Sequence, residues 1–173
     1  MNVHSKTGDS SKLAPLLLAV QAGHEMMVRN LLLAGASVGE RSLTGQTGLH
    51  LAAQQDSPEI ASVLLSNGID FSAVDEEGNN ALHVAVRAGN LRTARVLLTE
   101  SRVDAEVFNG KGRSVLHVLA RFGEENVCEL FSLFLECMPD YNIDRPDSEG
   151  NTPLLLAYVK VGNEFHAQKE GIS

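Results

Sequence analysis

The chain has 173 residues, 43% of them hydrophobic but only 5% aromatic with no Trp, so any core it builds is made by Leu, Val and Ala packing. Its 14 Lys and Arg stand against 22 Asp and Glu, a formal charge of -8, which argues against a nucleic-acid surface because phosphate binding needs clustered positive charge. Two cysteines, Cys128 and Cys137, make neither a disulfide framework nor a zinc ligand set, no apolar leader opens the chain, and no stretch reaches the ~18–20 apolar residues that cross a bilayer; a soluble cytoplasmic protein without cofactors is expected.

Residues 1–12 are small and polar and read as a flexible lead-in. From Leu13 the pattern becomes helix, short turn, helix, long loop. In the first unit (13–43) Ala14 to Ala22 predicts a short helix, Gly23 breaks it, and Glu25 to Leu33 predicts a second with Met27, Val28, Leu31 and Leu32 on one stripe. The second unit (44–76) repeats this with Thr47 to Gln55 and Pro58 to Leu65, Pro58 standing in the first turn, where a missing N–H is tolerated. The third unit (77–110) gives Asn80 to Ala88 and Leu91 to Leu98, and lacks the Gly that stops the second helix elsewhere.

The fourth unit (111–148) carries a second helix, Glu125 to Met138, expected to run about one turn longer than its counterparts. Phe131, Phe134 and Leu135 would thicken its apolar face, and the extra length would protrude outward. A fifth unit (149–160) opens with Gly150-Asn151-Thr152-Pro153-Leu154 and then stops; residues 161–173 read as a non-repeat tail. The stack is therefore expected to end on half a unit, as a piece of a longer array, with Leu154, Leu155 and Leu156 incompletely covered.

The units share a phrase: Gly45 to Asp56 reads GQTGLHLAAQQD, Gly78 to Gly89 reads GNNALHVAVRAG, and Gly112 to Gly123 reads GRSVLHVLARFG. Counted from Ala14, Thr47, Asn80, Ser114 and Thr152, the copies are spaced 33, 33, 34 and 38 residues apart. The phrase resembles the ankyrin repeat, a unit of about 33 residues with T-P-L-H-x-A opening its first helix. Thr47, Leu49, His50 and Ala52 carry the match, as do Leu82, His83 and Ala85; Ser114, Leu116, His117 and Ala120; and Thr152, Pro153, Leu154 and Ala157. Gly48, Ala81 and Val115 replace the Pro, and Leu17 and Leu155 replace the His.

The resemblance covers residues 11 to about 160 and implies an all-α solenoid: paired antiparallel helices with β-hairpin tips, four full units and a partial fifth. It also implies that the concave face, made by tips and first helices, binds other proteins. Within the family, the wording from Thr44 to Asp104, the long fourth unit and Asp144 to Tyr158 are similar to the last part of the array of an endosomal protein carrying a FYVE zinc finger. That likeness implies a scaffold in endosomal membrane trafficking. Its partners would be small GTPase or trafficking proteins, and it would reach membranes only through domains absent from this chain.

Catalytic and metal chemistry finds little support. His50, His83 and His117 share one register, yet packed helices stand about 8–10 Å apart whereas zinc ligands sit within ~2.1 Å of one ion. Their expected role is structural, with ring nitrogens bonding backbone groups between units. Cys128 with His117 lacks an orienting third group and reads as a buried core cysteine. Gly110-Lys111-Gly112 lacks the remainder of a phosphate loop and reads as a hairpin tip.

The positions that stacking leaves free are the tip residues flanking each Gly and the end of each first helix. The candidate partner-binding residues there are Gln46, Gln54 and Gln55 in the second unit, Glu76, Glu77, Asn79 and Arg87 in the third, and Lys111, Arg113, Arg121 and Phe122 in the fourth. Arg87, Lys111, Arg113 and Arg121 would form a positive patch around an exposed Phe122, a composition enriched at binding hot spots and suited to an acidic segment of a partner. The other readings are a solvated face on a structural spacer within a longer array, or a regulatory protein that masks a transcription factor.

Overall fold

The computed structural model describes residues 14–100, 107–122, 126–138 and 140–160; the lead-in, the segment 101–106 after the third unit's second helix and the tail after 160 lie outside the described residues. Four helix pairs follow one another: α1 Pro15–Gln21 and α2 Glu25–Leu33, α3 Gly48–Gln54 and α4 Pro58–Ser66, α5 Ala81–Arg87 and α6 Leu91–Glu100, α7 Val115–Phe122 and α8 Val127–Cys137. A further helix, α9, covers residues 153–160.

Local sequence sets these boundaries. Pro15 and Pro58 occupy first-turn positions where no N–H is needed. Thr47 and Asn80 cap α3 and α5 from extended backbone, and each donates its own N–H to the ring of the histidine three residues on. None of these helices exceeds 11 residues, too short to be stable alone in water, so the stack must hold them.

The first helices α1, α3, α5 and α7 pack side by side in one layer, and α2, α4, α6 and α8 form a second layer behind them. Between the layers runs one core in which Leu16, Leu17, Leu49, Leu64, Leu82, Leu97, Leu116, Leu119 and Leu130 are almost completely enclosed, each burial contributing about 2 kcal/mol. Ala52, Ala61, Ala85 and Ala94 are fully buried where helices approach closely, which is why the repeat carries Ala at these points.

The tips are short hairpin turns closed by Ser42 N to Gln46 O, Asp75 N to Asn79 O, Asn109 N to Arg113 O and Asp147 N to Asn151 O, with one isolated antiparallel bridge among the described residues, between Arg41 and Thr47. Three expectations need correction. The described part of α8 stops at Cys137, one residue longer than α6, and the rest of the 38-residue step goes into the following loop. There Tyr141 packs edge-on against Phe134, ring centroids 4.9 Å apart. Met27 lies on the exposed side of α2, where only Val28 is fully buried. Leu156 is buried with Pro153 on the inner side of α9, whereas Leu154 and Leu155 face outward as expected.

Candidate functional site

Each tip is closed by its own side chain. Asp75 Oδ1 accepts from the N–H groups of Glu77 and Asn79, Asn109 Oδ1 from Lys111 and Arg113, and Asp147 Oδ1 from Glu149 and Asn151, all at 2.9–3.1 Å. Ser42 Oγ does the same more weakly for Thr44 and Gln46. Successive tips are then tied by backbone: Glu76 N donates to Thr44 O, Gly110 N to Glu77 O and Ser148 N to Lys111 O. The tips therefore stand in fixed register beside the ends of α3, α5 and α7.

The histidines lock this register from beneath, in the structural role expected of them. His50 Nδ1 accepts the Thr47 N–H, so Nε2 carries the proton and donates to Asn79 O in the next tip at 2.9 Å. His83 reaches Arg113 O and His117 reaches Asn151 O, both at 3.1 Å. Burial pushes all three imidazoles below their ordinary value of 6.5, against the opposing pull of these carbonyls, and His83 falls to about 4. Both ring nitrogens of each are engaged in caps and bridges.

Two adjoining depressions lie between the tips and the first helices. One, of about 530 Å³, is lined by Thr44, Gln46, Gln54, Glu76, Glu77 and Arg87 above Val84 and Ala88. The other, of about 390 Å³, is lined by Glu76, Glu77, Arg87, Lys111 and Phe122 above Val118. Gln46, Gln54, Glu76, Glu77, Arg87, Lys111 and Phe122 are thus brought together on one surface, and Arg121 joins them through Phe122. The Phe122 ring is flanked by two guanidiniums, those of Arg87 and Arg121, each 5.5 Å from its centroid.

The rest of the expected patch is different. Arg113 is 3% exposed; its Nε lies 3.2 Å from Asp147 and its guanidinium reaches Glu149 at 3.3 Å, so its charge is neutralised inside the wall. Burial pushes the Asp147 carboxyl up, but hydrogen bonds from the Asn151 N–H, Arg113 and the Glu149 N–H outweigh it and leave the group below its ordinary value. Asn79 is also buried and accepts from Asn109 in the next tip at 2.9 Å, so it serves the stack while lining both depressions, as Arg113 lines the second. Gln55 turns away from both depressions and donates to Gln21 O.

Arg87 stands 3.7 Å from Glu77, which also accepts from Asn79. The unbroken positive patch is therefore a mixed surface: acidic at Glu76 and Glu77, aromatic at Phe122, basic at Lys111 and Arg121. Cys128, expected in the core, is exposed on α8. It precedes the buried Leu130 by two residues, about 200° around the helix.

A family model described as ankyrin repeats, in three copies, matches residues 16–109. The chain is 64% identical over 159 residues to Rabankyrin-5 of Mus musculus and to Rabankyrin-5 of Homo sapiens, which covers 92% of this chain and 14% of each relative. It is 35% identical over 147 residues to the nuclear factor NF-kappa-B p105 subunit of Gallus gallus, covering 83% of this chain and 14% of that protein. The chain thus spans about one seventh of the length of these relatives.

Proposed function

This chain belongs to the ankyrin-repeat family of protein-interaction modules, and we propose that it serves as a non-catalytic scaffold in endosomal membrane trafficking, holding partner proteins in the groove between its tips and first helices. The observation that carries this reading is the pair of depressions, whose rims present Gln54, Glu76, Arg87, Lys111 and Phe122 as exposed side chains. Arg and aromatic residues grouped over an apolar floor are the composition of interface hot spots. The identity to the Rabankyrin-5 proteins supports the endosomal setting and, as part of the same proposal, partners among small GTPases and other trafficking proteins. Membrane attachment is supplied, on this reading, by domains outside these residues.

An acidic partner segment is retained as the ligand of the basic end, now resting on Arg87, Lys111 and Arg121 alone. The test is affinity capture from cytosol with the wild-type chain and with R87E/K111E/R121E, after circular dichroism shows equal helicity. Loss of specific proteins from the triple variant supports the groove. Recovery of the same proteins by both moves binding to another face, and recovery of none by either favours a spacer within a longer array.

A further inference from the structure

Taking the groove as the protein-binding surface, we infer that it reads an extended segment of the partner with a fixed charge pattern: a basic residue, then an apolar residue three positions away, with a carboxylate next to the apolar one. The two depressions share Glu76, Glu77 and Arg87, and the inference rests on what each adds to them: Gln46 and Gln54 at the first, Lys111, Val118 and Phe122 at the second. At the first, Arg87 stands 3.7 Å from Glu77 and Asp75 is engaged in closing its own turn, so Glu76 is the carboxylate left to face an incoming cation, with Glu77 beside it. The neighbouring Gln46 and Gln54 add neutral polar groups suited to an incoming ammonium or guanidinium.

At the second, Phe122 and Val118 offer an apolar seat. The ring is 40% exposed and held between two guanidiniums; Arg87 already faces Glu77, and the N–H edge of Arg121 is left to meet a carboxylate beside whatever covers the ring. Lys111 completes that end from the opposite tip. Neither Lys111 nor Arg121 takes part in an ion pair among the described residues, so both remain available.

The spacing follows from the repeat. The depressions lie one unit apart, between α3 and α5 and then between α5 and α7. Packed helices are separated by about 8–10 Å, and an extended chain advances about 3.3 Å per residue, so a step of three residues, about 10 Å, is the shortest that spans the full range between the two seats. A ligand of uniform charge would meet like charge at one seat, and discrimination against it follows from that repulsion as much as from attraction at the other.

The test is a display library of random nine-residue peptides selected on the whole chain, each binder then titrated against Phe122→Ala, Lys111→Glu and E76K/E77K after thermal melts confirm folding. Lys111 and Glu76 are exposed tip side chains, so these variants keep the test valid if Phe122→Ala unfolds. The expected binders carry the stated pattern, weaken about tenfold on Phe122→Ala and about fivefold on Lys111→Glu, and lose their preference for the basic residue on E76K/E77K. Binders that need Phe122 but lack the pattern overturn the inference and leave the groove as a binding surface. A library that yields no binder, or only binders indifferent to all three variants, overturns both.

Discussion

Arg113 and Asp147 meet across the boundary between two successive tips, Nε to Oδ2 at 3.2 Å, with side chains 4% and 0% exposed. Such a pair is a poor source of net stability, since desolvating both charges offsets their attraction, but removing one partner leaves a buried charge uncompensated. Arg113→Ala should therefore lower the unfolding free energy by about 2–4 kcal/mol, softened by the backbone N–H groups that still reach Asp147. Lys111→Ala, two residues away and exposed, should stay within about 0.5 kcal/mol. Urea titration of both variants checks the contrast. Hydrogen exchange adds a local signature, because the Arg113 variant should lose protection first across residues 147–157.

Acid should weaken the stack before it protonates most carboxylates. His83 is held at about 4 in the fold against an ordinary 6.5, and His50 and His117 are also held below 6.5. Between those values the unfolded chain binds more protons than the native one, so stability is full above about pH 6.5 and declines as pH falls toward 4. His83 alone accounts for about 3 kcal/mol of that decline. Urea midpoints at pH 7.5, 6.0 and 5.0 should fall in that order. A midpoint that stays level or rises on acidification would contradict the buried, neutral histidine bridges.

Much of this architecture is legible in the residues because a repeat states its rule several times. Thr47, Asn80 and Ser114, each followed three residues later by His, locate the first helices to within one residue of where they begin. The same recurrence makes the inter-unit role of His50, His83 and His117 readable before any coordinates. What it hides is whatever one unit does differently. Arg113 follows a tip Gly, as Gln46 and Asn151 do, and averaging over units marks that position as free. The signal was present in Asp147, 34 residues ahead and at the same tip position as Asp75 and Asn109, where an acidic group closes its turn and can face back onto the preceding tip. At Cys128 helical phase decides against residue type: two residues before the buried Leu130, it falls on the opposite, exposed side of α8.

Asn80 is the weak link among the caps. Its Oδ1 accepts the His83 N–H at 3.0 Å yet also lies 2.7 Å from His83 Nδ1, and its buried Nδ2 has no hydrogen-bond partner among the described residues. With Nε2–H donating to Arg113 O, neutral His83 turns an acceptor toward that oxygen. Turning the carboxamide over exchanges one conflict for another, because Nδ2 would then face the His83 N–H. A hydroxyl, as Thr47 supplies at His50, can both donate and accept. Asn80→Thr should accordingly stabilise the chain by about 1 kcal/mol at pH 7.5. The gain should fade toward pH 4, where protonated His83 can donate to Asn80. Thermal melts at the two pH values measure it, and a destabilised variant at pH 7.5 would refute this account of the cap.

Gly68 and Gly78 separate backbone strain from crowding. Both sit in the left-handed region, at φ +79° and +77°. A Cβ on Gly68 would meet nothing within 4 Å, whereas one on Gly78 would lie 2.5 Å from the Gly110 backbone nitrogen, the group that donates to Glu77 O to tie the two tips together. Gly68→Ala should therefore show the conformational penalty alone, about 1 kcal/mol. Gly78→Ala should add displacement of the neighbouring tip, for a total of about 3 kcal/mol. Because Glu76, Glu77, Asn109 and Lys111 all hang on that register, Gly78→Ala should also disturb both depressions, visible as amide chemical-shift changes spreading from residue 76 to 113. Gly68→Ala should confine its shifts to the end of α4. Equal losses of stability in the two variants would mean that the tips are not packed as tightly as their backbone hydrogen bonds require.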